Sequence, residues 1–242
     1  MSGLFYSLGR SLGRVTIPAI RTSKWAWQSL AGTEAESIQA ERQLGNVLAG
    51  EMRQKLGVPD NPHDTELVSE IGRRLSACLR NKRVTFKVEV VRTEGPAAMA
   101  LPGGFIFVGV PLLDLCERQP PELAFVIGHE MAHVVRGHAL QRLVSRASGD
   151  VLASMLSRGP LNPWVRQAGL ALLQRAHSQD SELEADELGA RLAQAAGYDP
   201  IGALQFLRRV QGLRSTPQGV GDYFASHPTE TERIAQLKAL VP

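Results

Sequence analysis

The feature that most constrains this sequence is an apolar helical pattern over residues 122–138 that contains the motif His-Glu-x-x-His. Residues four apart in a helix lie one turn apart on the same face, so the imidazoles of His129 and His133 can bind one ion. The apolar neighbours that place this helix in the core are Phe125, Val126, Ile127 and Val134. The chain is therefore predicted to fold around a buried helix that carries two metal ligands.

Glu130, beside the first histidine, gives this motif a chemical use. Its carboxylate can take a proton from a water that a bound zinc ion makes more acidic, and later return that proton to a leaving amine. The ion also polarises the scissile carbonyl, so the pattern is typical of peptide-bond hydrolysis. The alternative interpretation is a buried helix whose two histidines have no metal-binding or catalytic role. Burial does not decide between them, because a metal gives buried imidazoles the partner that they would otherwise lack.

A catalytic zinc site needs a third protein ligand and keeps a fourth position open. His138 is a poor candidate, because it lies five residues beyond the second histidine and about 140° further round the helix. The acidic cluster downstream offers Glu182 and Asp186, four residues apart on one helix face, as ligand and orienting neighbour, whereas Glu184 points elsewhere. On spacing alone, these carboxylates also suit the solvated first turn of a helix.

The remaining hydrophobic pattern predicts an α+β fold that is mainly α-helical with a small β-sheet. Two helices and two strands are expected before the central helix, over residues 33–57, 67–79, 84–91 and 105–108. From Pro120 onward the pattern is almost wholly helical. No internal repeat or linker marks a boundary, so residues 33–242 are predicted to form one zinc metallopeptidase domain.

Several ordered blocks of the sequence are more specific than the bare motif. They are Glu41-x-x-Leu-Gly45, Ala100-Leu-Pro-Gly-Gly-Phe-Ile-Phe-Val108, Gly128–His138, Glu182-Leu-Glu-Ala-Asp186 and Ser226-His-Pro-Thr-Glu-Thr-Glu-Arg-Ile234. Together they resemble the zinc endopeptidases that include HtpX, the Oma-type proteases and the CAAX prenyl endopeptidases. The resemblance implies a zincin-like (gluzincin) metalloprotease domain, with Glu182 as the third zinc ligand and Asp186 supporting the site.

The late His-Pro block adds His227 as a candidate catalytic residue. In the resembled family the equivalent histidine lies near the cleft and contacts the oxyanion or covers the metal, but His227 equally suits a helix start before Pro228. Arg233 either positions that segment or is a solvated residue on the final helix. Relatives commonly carry Asn-Ala-Phe-Ala before Leu-Pro-Gly-Gly, where this chain has Ala97-Ala-Met-Ala100. That difference falls at the edge that aligns the substrate.

These inferences predict a zinc-dependent metalloendopeptidase with one Zn²⁺ per chain, acting on protein or peptide substrates in quality control or processing near a membrane. One rival is a zinc-binding, chaperone-like or regulatory homologue that cleaves little, against which the intact Glu130 argues. Another is a hydrolase of a non-peptide amide or ester. The strand Phe105–Val108, taken as an edge, favours a peptide, because an edge strand binds an extended backbone by strand addition.

Residues 1–32 form a basic amphipathic segment that contains Arg10, Arg14, Arg21 and Lys24 but no acidic residue. This composition suits peripheral binding to a membrane surface from the cytoplasm; packing on the domain and organelle targeting are the alternatives. No stretch reaches the ~20 apolar residues of a membrane span. A formal net charge of +3 is too small to indicate a surface that binds nucleic acid. The two cysteines show no paired spacing in the sequence, which favours a reducing compartment. The sequence leaves the oligomeric state open.

Overall fold

The computed structural model of the chain describes residues 34–80, 82–137, 178–214 and 230–239. These ranges contain seven helices and one three-stranded sheet, in the order α1 (Glu34–Leu56), α2 (Pro62–Cys78), β1 (Lys87–Val91), β2 (Ala98–Leu101), β3 (Phe105–Gly109), α3 (Val110–Leu115), α4 (Pro120–Val135), α5 (Gln179–Ala195), α6 (Ile201–Arg214) and α7 (Glu230–Lys238). The mainly helical α+β architecture predicted from the pattern is confirmed. Residues 1–32, His138 and His227 lie outside the described ranges.

The sheet has the strand order β1–β3–β2, so β3 lies in the middle. β1 runs parallel to β3 with Lys87 opposite Phe105, and β2 runs antiparallel to β3 with Ala98 opposite Val108. The expectation that Phe105–Val108 forms an edge is therefore wrong, because both sides of that strand are already paired. Within the part of the chain that the structure describes, β1 and β2 are the outer strands of the sheet.

The strand predictions differ from the structure in two further places. The strand expected over 84–91 begins at Lys87, and β2 was not predicted as a strand at all. The sequence of β2, Ala-Met-Ala-Leu, contains none of the β-branched or aromatic residues that signal a strand. Pairing with β3 along its whole length determines its conformation instead.

The outer edge of β2 can be identified from a single hydrogen bond beyond its start. The N–H of Gly109 donates to the carbonyl of Ala97 over 2.8 Å, so these two residues face each other across the ladder. Backbone groups alternate along a strand, and Ala98 and Ala100 therefore direct their N–H and C=O groups away from β3. By the same alternation, residues 106 and 108 of β3 face β1.

Helix α4, which carries the His-Glu-x-x-His motif, is the centre of the core. Every residue from Glu122 to Val134 is buried, and α5, α6, α2 and β2 all pack against it. α2 begins at an Asn61 cap that accepts from the Asp64 N–H, and α5 begins at a Ser178 cap that accepts from the Ser181 N–H. None of the described helices combines the length and apolarity needed to cross a membrane.

Two of the sequence blocks meet where α1 crosses the turn Pro102–Gly104, between β2 and β3. A Cβ at Gly45 would lie 1.8 Å from the carbonyl oxygen of Pro102, so only glycine allows α1 to lie this close. Glu41 Oε1 accepts the N–H of Gly103 at 3.3 Å. Burial raises the pKa of Glu41, and this hydrogen bond offsets part of that rise. The block at 41–45 thus supports the end of β2.

Candidate metal centre

Three buried side chains from α4 and α5 converge on one point. His129 Nε2 and His133 Nε2 are 3.0 Å apart, as their one-turn spacing predicts. Glu182 of α5 completes the group: its Oε1 lies 3.3 Å from His133 Nε2 and its Oε2 lies 3.6 Å from His129 Nε2. These donor atoms all lie within 4.8 Å of one another. Packing of the two helices therefore brings the downstream carboxylate to the histidine pair.

The distances between these donors fit a single bound cation. Zinc binds imidazole nitrogen and carboxylate oxygen at 2.0–2.2 Å in tetrahedral geometry, which separates neighbouring ligand atoms by about 3.3 Å. The separations of 3.0, 3.3 and 3.6 Å lie around that value. Two imidazoles and one carboxylate, all fully buried, also form a donor set suited to a divalent transition metal. The residues present therefore fit one such ion.

A pair of glycines allows α5 to approach α4 closely at this point. A Cβ at Gly189 would lie 2.6 Å from the backbone nitrogen of His129, and a Cβ at Gly128 would lie 2.9 Å from the carbonyl oxygen of Gly189. Real side chains do not tolerate such contacts with backbone atoms. The two glycines thus set the helix separation that places the α5 carboxylates beside the α4 histidines.

Asp186 orients the first histidine of the motif. Its Oδ1 lies 2.8 Å from Nδ1 of His129, and because a carboxylate only accepts, Nδ1 carries the proton and Nε2 directs its lone pair at the centre. Burial by itself would lower the pKa of His129, but the hydrogen bond to Asp186 and the charges of Glu182 and Asp186 raise it overall. The two carboxylates therefore favour a positive charge at this site.

Arg233 of α7 holds Asp186 from the other side. Its Nε and Nη2 donate to Oδ2 and Oδ1 at 2.6 and 2.8 Å, a bidentate pair, and its Nη1 lies 3.7 Å from Glu182 Oε2. Burial raises the pKa of Asp186, but the charge and hydrogen bonds of Arg233 outweigh this and lower it overall. The sequence left the role of Arg233 open; at 1% exposure it is not a solvated residue. Two features of the sequence pointed to it: its place in the His-Pro block that ends at Ile234, and its buried apolar neighbours Ile234 and Leu237.

The other candidate residues separate into described and undescribed positions. Glu130 follows His129 on α4 and is buried at 2% exposure. Glu184 is half-exposed and pairs with Arg136 at 2.8 Å, away from the donor group, as its helical position predicted. For His227 the proposed role stays a prediction, because it lies outside the described residues.

Comparisons with known proteins agree with this geometry. The chain is 27% identical over 214 residues to the mitochondrial metalloendopeptidase OMA1 of Schizosaccharomyces pombe, covering 85% of this chain and 62% of the relative. It is 26% identical over 218 residues to the beta-barrel assembly-enhancing protease of Yersinia pestis, covering 84% of this chain and 44% of the relative. It is also 26% identical over 227 residues to the metalloprotease LoiP of Escherichia coli (strain K12), covering 86% of each chain.

The chain spans less than two thirds of the length of the first two of these relatives. Residues 62–241 match peptidase family M48. This range includes the residues that form and support the donor group, His129, His133, Glu182, Asp186 and Arg233. The relatives named above are themselves metalloproteases or proteases by name. This chain belongs to peptidase family M48.

Proposed function

We propose that this chain is a zinc-dependent metalloendopeptidase in which His129, His133 and Glu182 hold one Zn²⁺ and Glu130 is the general base. The observation that carries the proposal is the convergence of two imidazole nitrogens and one carboxylate within 4.8 Å, all buried, beside Glu130. Membership of a metallopeptidase family supports the same reaction class. A chaperone-like homologue with little proteolysis is not favoured, because the relatives are named as proteases.

A bound zinc ion supplies Lewis-acid chemistry, which makes water acidic near neutral pH and polarises a carbonyl group. The protein residues do the rest. Glu130 takes the proton from the attacking water and delivers it to the leaving amine. Asp186 keeps the Nδ1 proton of His129 in place, so that Nε2 stays available as a ligand, and Arg233 keeps Asp186 ionised and oriented. We propose His227 as an additional residue near the oxyanion.

The outer edge of β2 supports a peptide as the substrate. β2 packs directly against α4, and Ala98 and Ala100 direct their N–H and C=O groups away from β3, the side on which strand addition would place an extended backbone. This edge replaces β3 as the reason to prefer a peptide over another amide or an ester. The small side chains of Ala97, Ala98 and Ala100 leave the recognition at these positions to backbone groups rather than to side-chain pockets.

The experiment that tests the proposal compares the wild-type chain with Glu130→Gln for casein cleavage and zinc content. The amide is nearly isosteric with the carboxylate but cannot accept the proton. We expect cleavage to fall by at least about 100-fold, within the range attributed to general base catalysis, while the zinc content stays at one per chain. Equal cleavage by both chains would remove Glu130 from the mechanism.

For residues 1–32, outside the described ranges, we propose binding to an anionic membrane surface that holds residues 33–242 on the cytoplasmic side. Four basic residues without an acidic one support this. The second candidate role for this segment is organelle targeting, which is supported because one relative is named as a mitochondrial protein. Liposome flotation of the full chain and of a chain beginning near Thr33 tests the first proposal: only the full chain should float, and only at low salt. Equal flotation contradicts it.

A further inference from the structure

The turn Pro102–Gly104, which follows β2 directly, lies between α1 and the segment that leads into β1. On the α1 side, a Cβ at Gly103 would lie 2.7 Å from the Cα of Arg42. On the other side, a Cβ at Gly104 would lie 2.5 Å from the carbonyl oxygen of Thr85. Because backbone atoms pack this closely on both sides, the position of the turn depends on the position of α1.

Helix α1 is attached to the rest of the chain mainly through this turn. Among the described elements, α1 makes its most extensive contact with the turn and smaller contacts with β2 and β3. Within the same ranges, neither α4 nor α5 is one of its main partners, whereas the turn itself packs on α4. α1 also precedes residues 62–241, the range that matches the family. Its influence on the metal helices therefore passes through the turn and β2.

Glu41 is the polar link between α1 and the turn. Its Oε1 accepts the N–H of Gly103 at 3.3 Å, and a carboxylate accepts such a bond more strongly than a neutral amide does. Burial raises the pKa of Glu41, so its ionised form costs folding free energy that an uncharged side chain would not. Stability alone therefore does not account for a carboxylate at this position, whereas its bond to the turn does.

The position of this turn affects β2, because the strand is only four residues long and ends where the turn begins. A displaced turn moves Leu101, which is fully buried at the end of the strand. Ala98 and Ala100 direct their N–H and C=O groups away from β3, the side on which strand addition would place an extended backbone. Backbone groups that are already in place bind such a peptide without the cost of being ordered first.

We infer that Glu41 is a positioning residue for the substrate, which holds β2 through the turn in the ordered position that binds an extended peptide. The inference rests on the peptidase function proposed above, and Glu41 acts through Gly103 rather than on the reacting groups. Without Glu41, peptide binding must also order the β2 edge. The bound substrate and the transition state share that cost, so KM rises while kcat stays the same. A merely structural role would instead lower the folded fraction, and with it the apparent kcat, at unchanged KM.

Steady-state cleavage of an internally quenched peptide by the zinc-loaded full chain tests this inference. Glu41→Ala removes the acceptor but keeps a strong helix former, and KM should rise by about threefold or more with kcat within about twofold of wild type. Glu41→Gln keeps an acceptor of the same shape and should restore most of the lost affinity. Gln43→Ala, at an exposed position of α1, is the matched control and should change neither constant. An unchanged KM in Glu41→Ala, or no rescue by Glu41→Gln, overturns the inference.

Hydrogen exchange followed by mass spectrometry gives a second readout that needs no activity. In Glu41→Ala, exchange should become faster in residues 98–104, while residues 122–134 of α4 keep their wild-type protection. Equal loss of protection in both regions assigns Glu41 a general role in stability and overturns the inference, as does unchanged exchange in residues 98–104. A wild-type chain that cleaves no peptide contradicts the proposed function instead, and the exchange experiment then still decides whether Glu41 holds β2.

Discussion

The two helices that carry the metal centre, α4 and α5, contribute to it in different ways. α4 is buried throughout, and one turn of helix fixes its two histidines relative to each other. α5 has an acidic first turn and is buried along a single stripe, formed by Glu182, Ala185, Asp186, Gly189, Ala190 and Ala193. Its carboxylates reach the centre only because the helices touch at Gly128 and Gly189. The centre thus has a local half, His129 and His133 on α4, and a packed half, Glu182 and Asp186 on α5, which tertiary packing brings to it.

The largest expected effect comes from the local half. His133→Ala removes one of two imidazoles that no other group can replace at that turn, so metal affinity should fall by more than about 100-fold. Elemental analysis of purified protein measures this directly. Glu130→Gln on the same helix serves as the matched control, because it should keep a full complement of zinc. Full zinc in His133→Ala would contradict the assignment of the local half.

The next largest effect is expected at the contact that joins α7 to the packed half. Arg233→Met leaves the buried carboxylate of Asp186 without its bidentate partner, and breaking such a pair costs about 3–5 kcal/mol of unfolding free energy. Denaturant unfolding of the metal-free protein measures it. Arg73→Met, which breaks the exposed pair with Glu70, should leave stability unchanged. If both variants unfold alike, Arg233 has no special part in holding α5.

A smaller effect is expected from the residue that orients the histidine. Asp186→Asn keeps the shape of the side chain but no longer secures the Nδ1 proton of His129 or the charge of Arg233. Groups in this position typically contribute 10- to 100-fold to metal affinity or activity, and we expect a loss of about that size. Competition with a chromophoric chelator gives the zinc affinity. Unchanged affinity and kinetics would remove Asp186 from the supporting set.

The smallest effect concerns helix separation. Gly189→Ala introduces a methyl group against the backbone of His129 and should cost about 1–3 kcal/mol in stability while weakening zinc binding. Gly50→Ala in α1 is the control, because a Cβ at that position would meet no neighbouring element within 4 Å and alanine there should stabilise the helix by up to about 1 kcal/mol. The same sign of change in both variants would contradict the role of close helix packing.

The local half of the centre could be predicted from sequence, and the packed half only in part. Helical spacing alone predicts that His129 and His133 share a face. Spacing left Glu182 and Asp186 between a ligand pair and an ordinary acidic helix start, and the family resemblance decided between them. The role of Arg233 stayed undecided, because the sequence of a short helix does not determine which side chain its basic residue will contact. That partner lies on α5, 47 positions away.

The sheet was predicted least well, for a similar reason. β3 has a strong strand pattern that reveals its existence but not whether its sides are paired, so its assignment as an edge was wrong. β2 has a weak pattern, and its conformation depends on pairing with β3. Strand order is a property of long-range contacts, whereas periodicity reports only burial along one segment.

The most direct test of the two-part centre is zinc K-edge X-ray absorption on the purified chain and on Glu182→Ala. The wild-type chain should show zinc bound by two imidazoles and by oxygen, with no sulfur ligand. In Glu182→Ala the two imidazoles should remain, because α4 alone provides them, and the zinc affinity should fall sharply. A wild-type spectrum with three imidazoles or with sulfur, or an unchanged spectrum and affinity in Glu182→Ala, would contradict the account.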